Sequence, residues 1–239
     1  MSTRTVKPLT VYGHWGAPNP YKIRILLEEL DIPFEWHVIE IQDVKNETYT
    51  KICPNGRLPA IVDPNTGITL WESGAIVLYL IEEYDKEGKL SYRTAPEKYL
   101  LQQWLMFQVS GKCSSFKSIL LRQGPYFGQA VWFARYHHEK LPSAIKRYLD
   151  EVERVTSVID THLTTTNQDY LVGDKCTYAD LSFVTWYFLA AGLLKELGQE
   201  KRLDKFTKYS EWIGRLNGRE VVKRLNSQVQ KGRTEHGMK

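Results

Sequence analysis

The sequence is poor in the residues that mark several classes of protein. It has only 3 cysteines in 239 residues, at the widely spaced positions 53, 113 and 176. An odd number of scattered cysteines argues against a disulfide framework and fits a compartment in which thiols stay reduced. No cysteine pair lies at ligand spacing beside the adjacent His137 and His138, so the sequence predicts no metal site.

Long apolar runs and long runs of one charge are also missing. The longest apolar stretch, residues 181–194, is broken by Ser182, Thr185 and Gly192, whereas a membrane span needs roughly 18 uninterrupted apolar residues. The N-terminus is polar and has no signal-peptide core. Lys and Arg total 32 against 28 acidic residues, and the two signs alternate. These patterns predict a cytoplasmic protein that binds neither membrane nor nucleic acid.

What remains is an ordinary globular composition, 42% hydrophobic and 25% charged. The chain is long enough to bury a core without a disulfide or a metal. The first part of the chain has strand patterns, and Asp63 to Gly67 has the composition of a tight turn. Asn19 and Pro20 have the composition of an N-cap and a first-turn proline. The predicted order is strand 9–12, helix 20–30, strand 34–39, helix 45–52, strands 58–62 and 68–71, and helix 73–84.

From Ala95 onward the periodicity is helical, and Thr177 with Asp180 has the spacing of a capping box. We therefore predict an α/β domain over residues 1–84, a linker at 85–93, an all-helical domain over 94–230 and a frayed polar tail at 231–239. The predicted helices lie near residues 96–111, 125–140, 143–163, 178–194, 204–217 and 218–228.

Three short pieces of the first domain have the chemistry of a binding site. Pro59 stands at the mouth of a strand, and a cis Leu58–Pro59 bond would turn the main-chain N–H and C=O of Leu58 outward. Ser73 begins a helix, where a hydroxyl and N–H groups can hold a carboxylate. Glu72 beside it can receive an ammonium group. Asn19 lies at the start of the first helix.

The motifs at these positions occur in a fixed order with a fourth one downstream. They are Ala17-Pro18-Asn19, the seven residues from Pro54 to Ala60, Glu72-Ser73-Gly74-Ala75-Ile76, and Gly124 to Gln129. At these residues the chain resembles the glutathione transferase superfamily, specifically its fungal nitrogen-regulator-like (nu-class) branch. Any one of the motifs is weak alone, but the four in order are specific.

The resemblance implies a thioredoxin-like N-terminal domain, an all-helical C-terminal domain and a cytoplasmic homodimer active in detoxification. It implies glutathione as co-substrate, with the main chain of Leu58 pairing with the cysteinyl part. It implies that Glu72 and Ser73 hold the γ-glutamyl end. It further implies that the amide of Asn19 hydrogen-bonds the glutathione sulfur, where other classes use Tyr, Ser or Cys.

The resemblance adds three further binding candidates. Arg57 lies within the second motif. Arg147 lies in a motif whose arginine, in bacterial relatives, contacts the glutathione bound to the partner subunit. Where the family often has His or Gln for the glycyl end, this chain has Val44, so we expect neighbouring Lys45 to take that contact or the contact to be lost.

Because the chain has no Cys-x-x-C pair of its own, glutathione itself would supply the thiols, and its bound thiolate can attack a disulfide sulfur. The resemblance implies glutathione-dependent disulfide reduction as the activity, since relatives with Asn at this position are typically better disulfide reductases than conjugating enzymes. Attack on an electrophilic carbon uses the same thiolate. A non-catalytic glutathione-binding regulator and a glutathione peroxidase for organic hydroperoxides are the alternatives. Turnover of a glutathione mixed disulfide separates the enzyme from the regulator.

Plainer interpretations of the same residues stay open. Asn19 and Ser73 could act only as helix caps, and Glu72 could be a solvated surface acid. Tyr12 or Tyr21 could activate the sulfur instead. The aromatic residues between positions 104 and 136 could line an apolar co-substrate pocket or simply pack. The segment Lys112 to Gln123 interrupts the family pattern, as either a loop or a gene-model artefact.

Overall fold

The computed structural model describes residues 5–109 and 123–235. The strands are β1 (Leu9–Gly13), β2 (Phe34–Val38), β3 (Ala60–Asp63) and β4 (Ile68–Trp71). The helices are α1 (Pro18–Glu29), α2 (Glu47–Thr50), α3 (Ser73–Tyr84), α4 (Glu97–Val109), α5 (Gln123–Val131), α6 (Pro142–Thr166), α7 (Tyr178–Glu196), α8 (Thr207–Asn217) and α9 (Glu220–Glu235). Short 3₁₀ turns at Ile41–Asp43 and Glu200–Leu203 and a π-helical turn at Trp132–Tyr136 complete the order.

The chain forms two compact units, and the second consists of residues Ser91–Asn217. The first takes in the residues up to Leu90 and, from Gly218, the C-terminal helix α9. The predicted fold class, a thioredoxin-like α/β domain followed by an all-helical domain, is confirmed. The predicted limits at 1–84 and 94–230 stay a prediction.

The described strands of the first unit make one mixed sheet in the order β2-β1-β3-β4. β1 pairs with β2 in parallel and with β3 antiparallel, so Val11 lies opposite both Trp36 and Ile61. β3 and β4 form a hairpin, whose turn closes through the N–H of Gly67 donating to the carbonyl of Asp63 at 2.9 Å. Gly67 has φ +77°, which explains glycine there.

Two element boundaries differ from the sequence prediction for one reason, proline. β3 begins at Ala60 rather than Leu58, because Pro59 has no N–H to donate to the ladder. The Leu58–Pro59 bond is cis, as the sequence suggested. α1 begins at Pro18 rather than after Asn19, since proline is preorganised for the first helical position. The helix predicted over 45–52 is reduced to α2 at Glu47–Thr50.

In the second unit the predicted capping box is present at the start of α7. The buried Asp180 carboxylate accepts hydrogen bonds from the N–H and hydroxyl of Thr177 at 2.9 and 2.7 Å. It also accepts from the N–H of Leu171 and the indole of Trp212, each at 2.9 Å. One carboxylate thereby joins three segments of this helical unit.

The helix α9 packs on α1 through ion pairs inside the first unit. Arg219 donates two hydrogen bonds of 2.7 Å to Glu29, and Arg224 contacts Glu28 at 2.5 Å. Arg24, one turn earlier in α1, donates to Gln228 at 2.7 Å. α9 consequently runs through Glu235, past the point at which the sequence predicted a frayed tail, because docking on α1 ties down what a terminus would otherwise leave loose.

The segment Lys112 to Gln123 lies outside the described residues except for Gln123, where α5 begins. Within the described ranges, the helices are all too short or too polar to cross a membrane.

Candidate functional site

The loop from β1 to α1 is held by a histidine that the sequence analysis did not single out. His14 is 5% exposed, and its Nδ1 accepts the N–H of Gly16 at 3.0 Å. The carbonyl of His14 accepts the N–H of Ala17 at 3.1 Å. Since Nδ1 is an acceptor, the ring proton belongs on Nε2, which lies 3.5 Å from Glu40. The imidazole therefore positions the residues that lead into α1.

Asn19 is the second residue of α1, and it does not cap the helix. The N-cap is Ala17, which makes no side-chain hydrogen bond to the helix. Little is left for a side chain to cap, because Pro18 and Pro20 have no N–H and the N–H of Ala17 already donates to His14. The interpretation of Asn19 as an N-cap is therefore wrong. The same prolines reduce the number of main-chain donors that the sequence analysis expected beside it.

The segment before β3 is held by hydrogen bonds from Tyr49 of α2 and from Lys45, just before that helix. The hydroxyl of Tyr49 donates to the carbonyl of Arg57 at 2.8 Å, and Nζ of Lys45 donates to the carbonyl of Asn55 at 2.7 Å. Gly56 has φ +54°, and a Cβ there would stand 2.5 Å from the carbonyl oxygen of Val44. Glycine is thus required where the chain passes Val44 and Lys45.

Glu72 connects β4 to α3 in an unusual main-chain conformation. It has φ +71° and ψ 114°, a region that non-glycine residues rarely adopt and that costs about 1–3 kcal/mol unless the surroundings hold it. Its carboxylate is exposed and accepts a hydrogen bond from the Asn55 amide at 3.4 Å. Ser73, buried beside it, is the first residue of α3, where the helix dipole favours an anion.

A buried lysine joins the starts of α1 and α3. Lys22 is 1% exposed, and its Nζ donates to Oγ of Ser73 at 3.3 Å across 51 positions of the chain. Burial lowers the pKa of Lys22 to about 7, because the interior disfavours the charged ammonium. The sequence analysis missed this residue, although it lies four positions before Leu26 on the apolar stripe of the helix.

Hydrogen bonds connect several of the predicted site residues within the first unit. Lys45 contacts Asn55, which contacts Glu72, and Ser73 is joined through Lys22 to the first turn of α1. Arg57 is exposed in the segment ahead of β3. Arg147 is not part of this group: it is an exposed residue of α6 in the second unit.

The rival candidates for thiol chemistry are largely buried. The Tyr21 hydroxyl is enclosed with no hydrogen-bond partner among the described residues, and burial raises its pKa to about 12. Tyr12 packs its ring 5.9 Å from that of Tyr49. Cys53 and Cys176 are both buried. In the part of the chain that the structure describes, no His, Cys, Asp and Glu side chains group as metal ligands.

Comparison with known domain families matches both parts of the chain. Residues 7–82 match "Glutathione S-transferase, N-terminal domain", and residues 124–220 match "Glutathione S-transferase, C-terminal domain". The first match contains Asn19, Leu58, Glu72 and Ser73.

Fungal proteins are similar along almost the whole chain. The glutathione S-transferase-like protein gedE of Aspergillus terreus is 43% identical, over 93% of this chain and 96% of that protein. The crystal structure of the glutathione transferase URE2P6 from Phanerochaete chrysosporium, in complex with oxidized glutathione, is 39% identical with a TM-score of 0.83, covering 95% of this chain and 98% of that one. Ure2p5 from the same fungus, cocrystallized with 1-(S-glutathionyl)-2,4-dinitrobenzene, is 35% identical with a TM-score of 0.81, covering 95% and 97%. The resemblance drawn from the four motifs is confirmed, and the chain belongs to the glutathione S-transferase family.

Proposed function

We propose that the protein binds glutathione at the starts of α1 and α3 and uses its thiolate to reduce disulfides. The observation that carries the proposal is the link between these two helix starts: Lys22, one turn into α1, contacts Ser73 at the head of α3. Helix N-termini favour anions, and glutathione offers both a carboxylate and a thiolate. Relatives crystallized with oxidized glutathione and with a glutathionyl conjugate support the choice of ligand.

The γ-glutamyl end would lie at Glu72 and Ser73. The exposed Glu72 carboxylate suits an ammonium group, and the Ser73 hydroxyl with the N–H groups of the first turn of α3 suits a carboxylate. The main chain of Leu58 would pair with the cysteinyl part. Arg57 and Lys45 would take the glycyl carboxylate, and the hydrogen bond from Lys45 to the carbonyl of Asn55 supports this because it holds the ammonium beside the segment that contains Arg57 and Leu58.

Asn19 would stabilise the sulfur without taking a proton. A free thiol with a pKa near 8.5 is only a few per cent ionised at pH 7. Lowering that pKa by about two units requires about 2.7 kcal/mol. A hydrogen bond to a charged acceptor provides about 1.5–3 kcal/mol, and a partly buried helix N-terminus up to about 2. Because Pro18 and Pro20 lack N–H groups, the Asn19 side-chain amide would supply a large part of the stabilisation of the thiolate.

The reaction needs no thiol from the protein. One glutathione thiolate attacks a disulfide sulfur, forming a mixed disulfide and releasing one thiolate. A second glutathione thiolate attacks the mixed disulfide, which yields oxidized glutathione and the second released thiolate. The two protons lost by glutathione pass to the two released thiolates. The buried state of Cys53 and Cys176 is consistent with this division of work.

The test compares Asn19→Ala with Asn19→Asp, which keeps the shape and adds a charge. The thiol pKa of bound glutathione is read from thiolate absorbance, and turnover is measured with a small disulfide, an aryl halide and an organic hydroperoxide. Asn19→Ala should lower turnover about tenfold or more. Asn19→Asp should raise the thiol pKa above that of Asn19→Ala. Unchanged rates in both variants would remove Asn19 from the mechanism.

The same assay separates the alternative functions. Tight glutathione binding without turnover of any of the three co-substrates would favour a regulatory module. Turnover confined to the hydroperoxide would favour a peroxidase, and turnover confined to the aryl halide would favour conjugation.

Assembly as a homodimer in the cytoplasm belongs to the same proposal. Exposed apolar side chains support a covered surface in each unit: Tyr99, Leu100 and Met106 on α4, and Ile68 and Trp71 on β4. Sedimentation of the purified protein should give twice the mass of the 27.8 kDa chain. Arg147, which would reach the partner subunit's glutathione, should then affect glutathione affinity only in the dimer.

A further inference from the structure

Lys22 occupies a place that a lysine rarely takes. Its side chain is almost fully buried in the first unit, although lysines are seldom buried completely. Placing an ammonium group in a protein interior is unfavourable unless a specific interaction offsets it. Buried ionisable side chains occur at functional sites more often than in ordinary protein cores.

The hydrogen bond from Lys22 to Ser73 has a definite direction. In its charged form, which predominates below pH 7, the amino group of Lys22 can only donate, so the Ser73 hydroxyl oxygen accepts the 3.3 Å bond from Nζ. The hydroxyl keeps its own hydrogen, which cannot point back at the ammonium. It must therefore be donated elsewhere. Ser73 is the first residue of α3, so a ligand carboxylate at that helix start is an acceptor in the right place.

A purely structural role for Lys22 makes a different prediction. If Lys22 served only to hold α1 against α3, its replacement would loosen the first unit and weaken every ligand contact equally. If it directs the Ser73 hydroxyl, its replacement should affect one carboxylate of the ligand and leave the rest unchanged.

We propose that Lys22 is a positioning residue that orients the Ser73 hydroxyl toward the γ-glutamyl α-carboxylate of glutathione and adds a buried positive charge beneath it. The inference rests on the proposed function, since it assigns a role within the same glutathione site. It concerns binding of the carboxylate and makes no claim about the sulfur or Asn19.

The experiment is calorimetric titration at about pH 6, where Lys22 is charged, with two probes. S-methylglutathione carries the γ-glutamyl carboxylate but no thiol, so the state of the sulfur does not enter. Its analogue with a 4-aminobutyryl group in place of the γ-glutamyl group lacks only that carboxylate. Both are titrated into the wild-type protein, Lys22→Met, Ser73→Ala and the double variant. Lys86→Met removes an exposed lysine and serves as the control.

We expect Lys22→Met to lower the affinity for S-methylglutathione about tenfold or more, which is the effect of losing one charge-assisted hydrogen bond. Ser73→Ala should weaken it similarly, and the double variant should lose little more than either single one. The 4-aminobutyryl analogue should bind the wild type and Lys22→Met equally, and Lys86→Met should bind like the wild type.

Two results would overturn the inference: an unchanged S-methylglutathione affinity in Lys22→Met, or an equal loss for both probes. If Lys22→Met does not fold, Lys22→Gln keeps a donor without the charge, and the same comparison of probes decides. A wild-type protein that binds neither probe would refute the proposed function itself, which is a separate outcome.

Discussion

The buried lysine makes the stability of the protein depend on pH in a specific way. The pKa of Lys22 falls from 10.5 in the unfolded chain to about 7 in the folded protein. Between these values the unfolded chain binds the proton and the folded protein does not, so unfolding takes up about one proton. The loss of folding stability caused by burying charged Lys22 is therefore complete below pH 7 and diminishes as the pH rises toward 10.5.

The magnitude follows from the two pKa values. One pKa unit corresponds to about 1.36 kcal/mol. Integrated over the titration, the penalty is about 4 kcal/mol at pH 7 and about 2 kcal/mol at pH 9, so wild-type stability gains about 2 kcal/mol from this residue over that interval. Lys22→Met removes the group and keeps much of its volume. The variant should exceed the wild type in stability at pH 7, with a gap that narrows toward pH 9.

The assay is urea unfolding at pH 7, 8 and 9, followed by the fluorescence of the 7 tryptophans. The wild type and Lys22→Met are compared at one protein concentration, so that every other titrating group cancels in the difference. Lys86→Met, whose side chain is 62% exposed, should show no pH-dependent gap to the wild type. A difference in stability between the wild type and Lys22→Met that stays constant with pH, or that widens as the pH rises, would show that folding does not lower the pKa of Lys22.

Other contacts give further expected outcomes. Arg219→Met leaves the Glu29 carboxylate, 7% exposed, without its 2.7 Å contacts; unfolding should require about 1.5–3 kcal/mol less, and hydrogen exchange should accelerate in α9. Asp180→Asn puts an amide N–H₂ against N–H and hydroxyl donors that now meet a carboxylate; a loss of about 1–3 kcal/mol in urea unfolding is expected, and none at all would contradict the hydrogen-bond assignment. Gly13→Ala would place a methyl group 2.3 Å from the Trp36 ring, so the melting temperature should fall by an amount equivalent to about 1–3 kcal/mol.

Elements set by short-range chemistry were predictable from the sequence. The β3–β4 turn depends on a proline and a glycine within five consecutive positions, and the α7 cap depends on Thr177 and Asp180 three positions apart. Backbone preferences of Pro and Gly and the period of a helix act over a few residues, so they can be read from the chain. The motifs around Asn19, Leu58 and Ser73 were visible for the same reason.

The start of α1 shows where local reasoning fails. Asn19 followed by Pro20 has the composition of an N-cap and a first helical residue, yet the helix begins two positions earlier, at Pro18, with Ala17 as its N-cap. The deciding contact is the N–H of Ala17 donating to His14, which sits at the end of β1 and is itself buried. Packing around His14 overrides the capping preference of Asn19.

The element order, the β3–β4 turn, the α7 cap, the lack of a Cys-x-x-C pair and the family could all be read from the amino-acid sequence. The folded structure was needed to see that Lys22 contacts Ser73, 51 positions away, and that α9 returns to α1 through Arg219 and Glu29, 190 positions apart. Lysine is ordinarily a surface residue, and a highly charged C-terminal segment is ordinarily expected to be poorly ordered. Burial and ion pairing depend on which distant segments meet, and that information appears only when the chain is folded.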